Sequence, residues 1–489
     1  MADTVGLDLT PLPRTRSPGM ALEQRVFLLI GVLVLGVLVG LAVAAGLPEV
    51  AVGLTLVVPM AALVLRMPFA IVVIWALVMP FFLEGLTAQA GPAQWGLHRL
   101  ALPGTLLLIA VYHALGIRRS AFRFGMVDVA LIAFIALGVA NNLLFAANTQ
   151  RELVSFYDKL AVPIALFWLV RASRPSRRDI GVLAAVGAIM ILVQVTLGVL
   201  SWVAPGVLPD QWLGRAGERT TGTFGGPAPY TITLVFYGLL VLHHGMRSND
   251  RLRRALVFFL VALALLGVFL SLSRGSWLGA AVAFAGLGIL YPRIIVPLGL
   301  AGLVLAGSLA VGPLAEQISV AQERLEDTAT VESRIITNDA TFRMIADRPL
   351  TGFGYNNFER YDESYKQRVG DIPLKLGGSS HNTYLNLAAE LGIPGLLLYF
   401  VAPVVLGIRT LKLRRRLMAG SPALWGLTVV LWLALIDQFL VSNFLEMIHA
   451  FQWGTSLWWL TLGLIAVVLE RAPAAPKPIT ARGTDAWSW

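Results

Sequence analysis

Cysteine is absent from all 489 residues. That excludes disulfides, thiolate metal sites and cysteine nucleophiles, and it leaves the redox compartment open. Charge is the second shortage. Asp, Glu, Lys and Arg make up 13% of the chain, against roughly 25% in soluble proteins. With so little charge to cover a surface, a water-soluble globule of this length is excluded. Familiar catalytic signatures are missing too: no His-Glu-x-x-His pair, no Walker loop and no acid cluster at metal-ligand spacing. Asp-x-Asp is also absent, which argues against metal- and nucleotide-sugar-dependent chemistry. The N-terminus lacks the pattern of a cleaved signal peptide; its first apolar run, Val26 to about Ala45, is long enough to span and has no cleavage site behind it. There is no internal repeat, and low complexity is confined to the Ala/Pro-rich tail from Arg471.

What the chain does have is hydrophobic length. Residues of that class make up 57%, and the mean hydropathy is +0.75. A membrane span needs about 20 apolar residues. Fourteen runs qualify: 26–46, 48–66, 68–85, 101–117, 127–147, 157–171, 179–203, 229–246, 253–272, 274–290, 292–311, 388–409, 421–444 and 447–469. The weakest are 101–117, which holds Pro103 and His113, and 157–171, which is short. The expected fold class is an all-α, polytopic membrane protein of about 14 transmembrane helices, with 12 to 14 as the range.

Placing the N-terminus in the cytoplasm puts 24 of the 38 Lys and Arg on cytoplasmic segments, as the positive-inside bias requires. Of the 14 outside, eight lie in one long loop that the rule discounts, so the short loops divide 24 to 6. Basic residues scattered in this way are topology determinants, and no single basic face is left for nucleic acid. The expected organisation is a cytoplasmic tail 1–25, spans 1–11 over 26–311, a periplasmic loop subdomain 312–387, spans 12–14 over 388–469, and a cytoplasmic tail 470–489. That loop differs in composition: 19 of its 76 residues are charged, against 47 of the remaining 413. Within it Val331 to Asp347 reads as an amphipathic helix, with Ile336, Ala340 and Met344 on one stripe. Pro349 stops the helix, and Thr351 to Gly354 makes a turn. A soluble insert of this size covers a pocket or contributes groups to one.

Four features could carry chemistry. Asp437 is the one acid well inside a span, which makes it either functional or helix glue. Arg274 sits between two spans in Ser271-Leu272-Ser273-Arg274-Gly275-Ser276-Trp277. It reads either as a snorkelling interfacial arginine beside an aromatic anchor or as a phosphate ligand at the membrane surface. Arg215 and Arg219 lie in a Gly/Thr-rich outer loop, 204–228, that is either a plain flexible connection or one whose backbone amides approach an anion. His381 joins the long loop to the next span. It is either a bystander beside a helix cap made by Ser379, Ser380 or Asn382, or a base, since histidine accepts a proton near neutral pH. On the outer side its only companions of that type are His98 and His449.

The run Ser380-His381-Asn382-Thr383-Tyr384-Leu385, followed by Glu390-Leu391-Gly392-Ile393-Pro394-Gly395, closely resembles the O-antigen ligase/polymerase family. That family includes ligases joining O-antigen to lipid A core, O-antigen and exopolysaccharide polymerases, and some protein O-oligosaccharyltransferases. Ser271 to Trp277, Arg219 to Pro227, and Arg334 through Pro349-Leu350-Thr351-Gly352-Phe353-Gly354 resemble further family blocks in the family's order. The likeness covers about 205–410. It implies a GT-C-like fold with Arg274 and His381 as the essential arginine and histidine. Arg215, Arg219, Arg334, Asn382 and Tyr384 would be its diphosphate or donor contacts.

The resemblance further implies a bacterial inner-membrane glycosyltransferase working at the periplasmic face without metal or other cofactor. Its donor would be an undecaprenyl-diphosphate-linked glycan and its acceptor a growing glycan or lipid A core. Membrane lipids and a chain-length regulator protein would be its partners. Arginines would stabilise charge growing on the leaving diphosphate, His381 would take the acceptor's proton, and attack opposite the leaving group would invert the anomeric centre. The fourteen spans, against the twelve usual for the ligases, favour a polymerase over a ligase. A lipid-linked-glycan transporter would instead need charged residues lining a path through several spans, and a membrane scaffold would leave Arg274 and His381 without a role.

Overall fold

Backbone buried in lipid must satisfy its own hydrogen bonds, and a helix does so within one segment. The computed structural model is helical accordingly. It describes residues 62–64, 66–82, 94–117, 124–213, 219–289, 329–372, 374 and 381–473, with isolated positions elsewhere. Among these there is no strand, only an isolated bridge between Val369 and Ile372. In chain order the helices are α1 (Ala70–Val78), α2 (Leu102–Ala114), α3 (Met126–Phe145), α4 (Thr149–Phe156), α5 (Val162–Ser173), α6 (Arg177–Val203) and α7 (Pro227–Gly245). They continue with α8 (Arg251–Leu270), α9 (Arg274–Ala285), α10 (Ala329–Asp347), α11 (Phe358–Tyr365), α12 (Thr383–Gly420), α13 (Pro422–Ser442) and α14 (Gln452–Glu470).

Eight helical stretches among the described residues are long and apolar enough to cross a membrane. The chain is an all-α, polytopic membrane protein. Eleven of the predicted spans fall on described helices; those at 26–46, 48–66 and 292–311 lie almost entirely outside the described residues. Two boundaries differ from expectation for a physical reason. The short predicted span 157–171 is part of a continuous 25-residue stretch, Thr149–Ser173, because a π-helical turn at Tyr157–Ala161 carries the helix through a polar segment. Hydropathy also under-measures α12, which runs 38 residues and includes a break at Gly392 (φ 72°, ψ 174°). Its polar last turns, Arg409 to Arg416, extend the helix past the apolar core.

Residues 69–104 and 122–489 form one compact unit, and all that follows lies within it; residues 1–68 and 105–121 form another. Inside the larger unit α14 is wholly enclosed and α7 nearly so. In lipid the hydrophobic effect does not drive helices together, so close packing and interhelical hydrogen bonds must. Both are present. Trp453 of α14 donates to Thr233 Oγ1 of α7 at 2.7 Å. Along α9, a methyl group at Gly275 would come within 2.9 Å of Phe444, and one at Gly279 within 2.5 Å of Asp437 Oδ1. These glycines let α9 lie directly on α13. Asp437, the intramembrane acid, is thereby buried against α9.

Buried ion pairs tie other helices. The Arg171 guanidinium of α5 bonds Asp128 of α3 and Glu470, the last residue of α14, and Trp168 also donates to Asp128 at 3.0 Å. Arg99 holds both oxygens of Asp158, in the π-helical turn, at 2.7 and 2.5 Å. By charge bias Arg171 falls among the 24 cytoplasmic basic residues and Arg99 among the six of the outer short loops; in the fold both are clamps.

Within the 312–387 loop, α10 buries the Ile336, Ala340 and Met344 stripe. Met344 joins Phe353, Phe358 and Ala389 in a small core that fastens α10 and α11 to α12. The turn after Pro349 docks its backbone onto the break in α12. Phe353 N donates to Ala389 O (2.9 Å), Gly354 N to Glu390 O (3.0 Å), and Ile393 N to Pro349 O (2.8 Å). Gly352 and Gly392 both have positive φ, and the two backbones meet so closely that a side chain at either would overlap the other segment. The Pro-Leu-Thr-Gly-Phe-Gly and Glu-Leu-Gly-Ile-Pro-Gly runs are therefore two halves of one joint.

Candidate active site

The α8–α9 connection is three residues long, and its geometry sets the direction of Arg274. Ser271 Oγ donates to Val268 O at 2.6 Å. Trp277 folds back so that its indole N–H reaches Val268 O and Phe269 O (3.0 and 3.2 Å), with its ring stacked on Phe269. The aromatic residue closes the end of α8. Leu272 takes a left-handed conformation (φ 48°), a strained state for a bulky residue that persists only where its surroundings over-determine it. Ser276 Oγ contacts Thr231 Oγ1 of α7 at 2.8 Å, which fixes the first turn of α9, where Arg274 sits.

Arg219 reaches the same place from the loop ahead of α7. Thr220 N donates to Leu270 O (3.3 Å), so Arg219 lies beside the α8–α9 turn. Beyond it the Gly/Thr-rich loop is neither a flexible connection nor open to an anion at Thr223. Thr223 N donates to Gln194 Oε1 (2.9 Å), the Gln194 amide returns a bond to Thr223 Oγ1 (2.7 Å), and Trp202 donates to Thr220 Oγ1 (2.7 Å). The threonines hold the loop down so that Arg219 is presented; Gln194, mid-span and polar, is the residue that sequence reasoning passed over. Arg215 lies outside the described residues.

Arg334 comes from α10. Its guanidinium lies 5.9 Å over the Phe444 ring, and its buried Nε has no hydrogen-bond partner among the described residues. Arg219, Arg274 and Arg334 line one cleft of about 60 Å³, together with Ser273, Ser276 and Phe444. No carboxylate is among its described lining residues. Burial lowers the Arg334 pKa, and the neighbouring charges of Arg274 and Arg219 lower it further. Guanidinium stays protonated regardless, so the cleft holds concentrated positive charge.

His381 lies half-buried in the bend just ahead of α12. Burial depresses its pKa, and the Arg334 and Arg219 charges add to that. Near neutral pH the imidazole is therefore uncharged and able to accept a proton. Asn382 is the cap: its Oδ1 accepts from Tyr384 N and Leu385 N at 3.0 and 3.1 Å. Tyr384 points into an aromatic cluster with Phe400, Phe439 and Trp458, and lines a different, smaller cavity. The structure thus lines one cleft with Arg219, Arg274 and Arg334, sets His381 within electrostatic reach of Arg334 and Arg219, and gives Asn382 and Tyr384 positions in the helix start and the core.

A polar network missed at sequence level holds this end of α12. Thr383 Oγ1 donates to Leu445 O and accepts from Met447 N, both at 2.8 Å. Glu446 caps the next turn through the amides of Ile448, His449 and Ala450. His449 Nε2 meets Glu390 Oε2 at 2.7 Å, and Glu390 Oε1 accepts from Phe358 N at 3.1 Å. Burial disfavours the charged form of His449, but the Glu390 and Glu446 carboxylates outweigh it and raise its pKa. His98 is buried as well, between Trp75 and the Asp158 carbonyl. Of the three outer histidines, His381 alone is placed among the arginines. Among the described residues no three His, Asp or Glu side chains group to hold a metal ion.

A cationic cleft with a neutral imidazole beside it suits an anionic leaving group and a hydroxyl nucleophile. The family model described as O-antigen ligase matches residues 259–400. These residues are an O-antigen ligase/polymerase domain. No curated protein matches the chain. The O-antigen ligase domain runs from within α8 into α12, so it contains Arg274, Arg334 and His381, while Arg219 is supplied from outside it. The match supports a glycan-transfer function at a membrane and implies lipid-linked glycan and membrane lipids as partners.

Proposed function

We propose that the chain polymerises a glycan carried on undecaprenyl diphosphate, in the bacterial inner membrane and at its periplasmic face. The observation that carries this reading is the convergence of Arg219, Arg274 and Arg334, from three separate segments, on one cleft next to His381. The arginines bind the donor's diphosphate by charge-assisted hydrogen bonds. His381 takes the proton of an acceptor hydroxyl as its oxygen bonds to the anomeric carbon. The bond from that carbon to the diphosphate oxygen breaks from the opposite side, inverting the centre, and the arginines stabilise the charge left on the diphosphate. No metal enters any step. The acceptor is a growing glycan, in keeping with the number of apolar runs; a ligase would offer lipid A core to the same residues.

The test uses purified protein in vesicles with a lipid-linked oligosaccharide donor, with and without lipid A core. The expected product is a ladder of longer lipid-linked chains formed without the core acceptor. Transfer that occurs only to lipid A core would assign a ligase instead. No transfer under either condition would overturn the reading, and strict rescue by magnesium after chelation would overturn its metal-free chemistry.

A further inference from the structure

A second, larger cavity lies at the other end of the helices that form the arginine cleft. Pro227 and Ala228 of α7 line the first, and His243 and His244 line the second; Val441 of α13 lines the first, and Ala423 and Leu424 the second. The 21 residues of α13, one of the helices long and apolar enough to cross a membrane, cover roughly 32 Å at 1.5 Å each, close to the roughly 30 Å thickness of a bilayer's hydrocarbon core. The two cavities therefore open at opposite membrane faces.

The second encloses about 250 Å³, more than the roughly 150 Å³ that admits a benzene ring. Its floor is apolar and buried, built from Leu240, Leu427, Leu431, Leu464, Val467 and Val468. Its rim carries the exposed arginines Arg177, Arg247 and Arg253. Arg471 also lines it but donates to the Pro175 and Arg174 carbonyls, so it belongs to the wall. No carboxylate is among the described lining residues. The nearby acids Asp179 and Asp250 accept from the amides of Ser176 and Leu252, which ties them to the starts of α6 and α8. Topology accounts for arginines at one membrane face, yet it does not place three of them around the mouth of an apolar cavity. Exposed cations above a buried hydrocarbon-like floor are complementary to an anionic amphiphile.

We propose that this cavity binds an anionic phospholipid of that leaflet, with its phosphate on Arg177, Arg247 and Arg253 and an acyl chain against the leucine and valine floor. Arginine's planar fork suits a phosphodiester. A basic residue near an anionic lipid surface contributes a roughly fivefold preference, so three together supply a specific site. The proposal is independent of the glycan-transfer reading, since none of these residues lies in the arginine cleft.

The test is lipid retention by the full chain, extracted from vesicles of phosphatidylcholine alone or mixed in equal parts with phosphatidylglycerol, and weighed by native mass spectrometry. The wild type should keep one phosphatidylglycerol under conditions that strip phosphatidylcholine. The triple variant R177Q/R247Q/R253Q changes only exposed side chains and should lose that retention by about tenfold or more. Ala423→Trp keeps the cations but fills the cavity, and it should lose retention as well. His381→Ala should retain lipid like the wild type, which separates this site from catalysis. Equal retention by the wild type and the triple variant would overturn the proposal. Retention by Ala423→Trp would reduce the effect to surface attraction and overturn the cavity. Displacement of the lipid by inorganic phosphate alone would show a free-anion site in its place.

Discussion

Arg171 and Arg334 are both drawn into the protein, and their surroundings give them opposite roles. Arg171 meets Asp128 and Glu470, and so joins α3, α5 and α14. Arg99 does the same for Asp158 in the π-helical turn. Arg334 instead has a buried Nε without a hydrogen-bond partner among the described residues, and the charges acting on it are those of Arg274 and Arg219. A buried cation with a carboxylate is a structural joint, and removing one partner exposes its full desolvation penalty. Cations gathered at a cleft without a carboxylate in its described lining concentrate positive charge where an anion can bind. Residue type is the same in both regions; what completes the charge decides the role.

The sharpest way to separate the regions is His381→Ala. Turnover should fall about 10²–10⁴-fold, the usual range for a general base, with donor affinity and thermal unfolding near wild type. A well-folded variant with normal turnover per molecule would make His381 a bystander. At the joint, Arg171→Ala should cost about 3–5 kcal/mol of stability while the folded fraction keeps its specific activity; denaturation in detergent alongside a transfer assay checks both. If activity fell with stability unchanged, Arg171 would belong to the chemistry and not to the joint. Arg274→Ala should weaken donor binding about 10–100-fold, as expected when hydrogen bonds to a charged group are lost. Arg274→Lys should recover only part, because the charge returns without the fork.

The smallest effect is on pH dependence. His381 must be neutral to accept a proton, and burial together with Arg334 and Arg219 holds its pKa down. Turnover should therefore decline only as pH falls below the ordinary histidine value of about 6.5. Arg334→Gln removes one opposing charge, so the acid limb should move upward toward that value. A limb that stays put, followed by turnover or by the His381 ring signals in NMR, would place Arg334 away from the base.

Much of the site was legible in local patterns. Arg274 stood out because an arginine between two spans with almost no loop is rare on the side with few short-loop cations. The α10 stripe Ile336, Ala340 and Met344 was readable because a helix in contact with a core repeats every three to four residues. Asn382 and Tyr384 were read with the donor because they belong to the Ser380–Leu385 run that carries the family resemblance. In the fold, Asn382 caps α12 and Tyr384 turns into the aromatic cluster, since adjacent residues on a helix face different directions. The Glu390–His449 pair was not legible, because its members lie 59 residues apart and neither belongs to a local pattern with the other. The same holds for Gln194 and Thr223, and for Arg171 and Asp128.

From the sequence alone came the helices, their apolar length and the chemical character of the loop between the eleventh and twelfth predicted spans. Each follows from interactions within a few residues along the chain: a backbone that closes its own hydrogen bonds in lipid and side chains that repeat at helical spacing. Only the tertiary structure decided which arginines became clamps and which became a cleft. It also decided that the turn after Pro349 locks into the break at Gly392, and that two cavities lie at opposite ends of α7 and α13. Those outcomes depend on which helix faces are pressed together, and in lipid that is settled by close packing and by polar partners far apart in the chain.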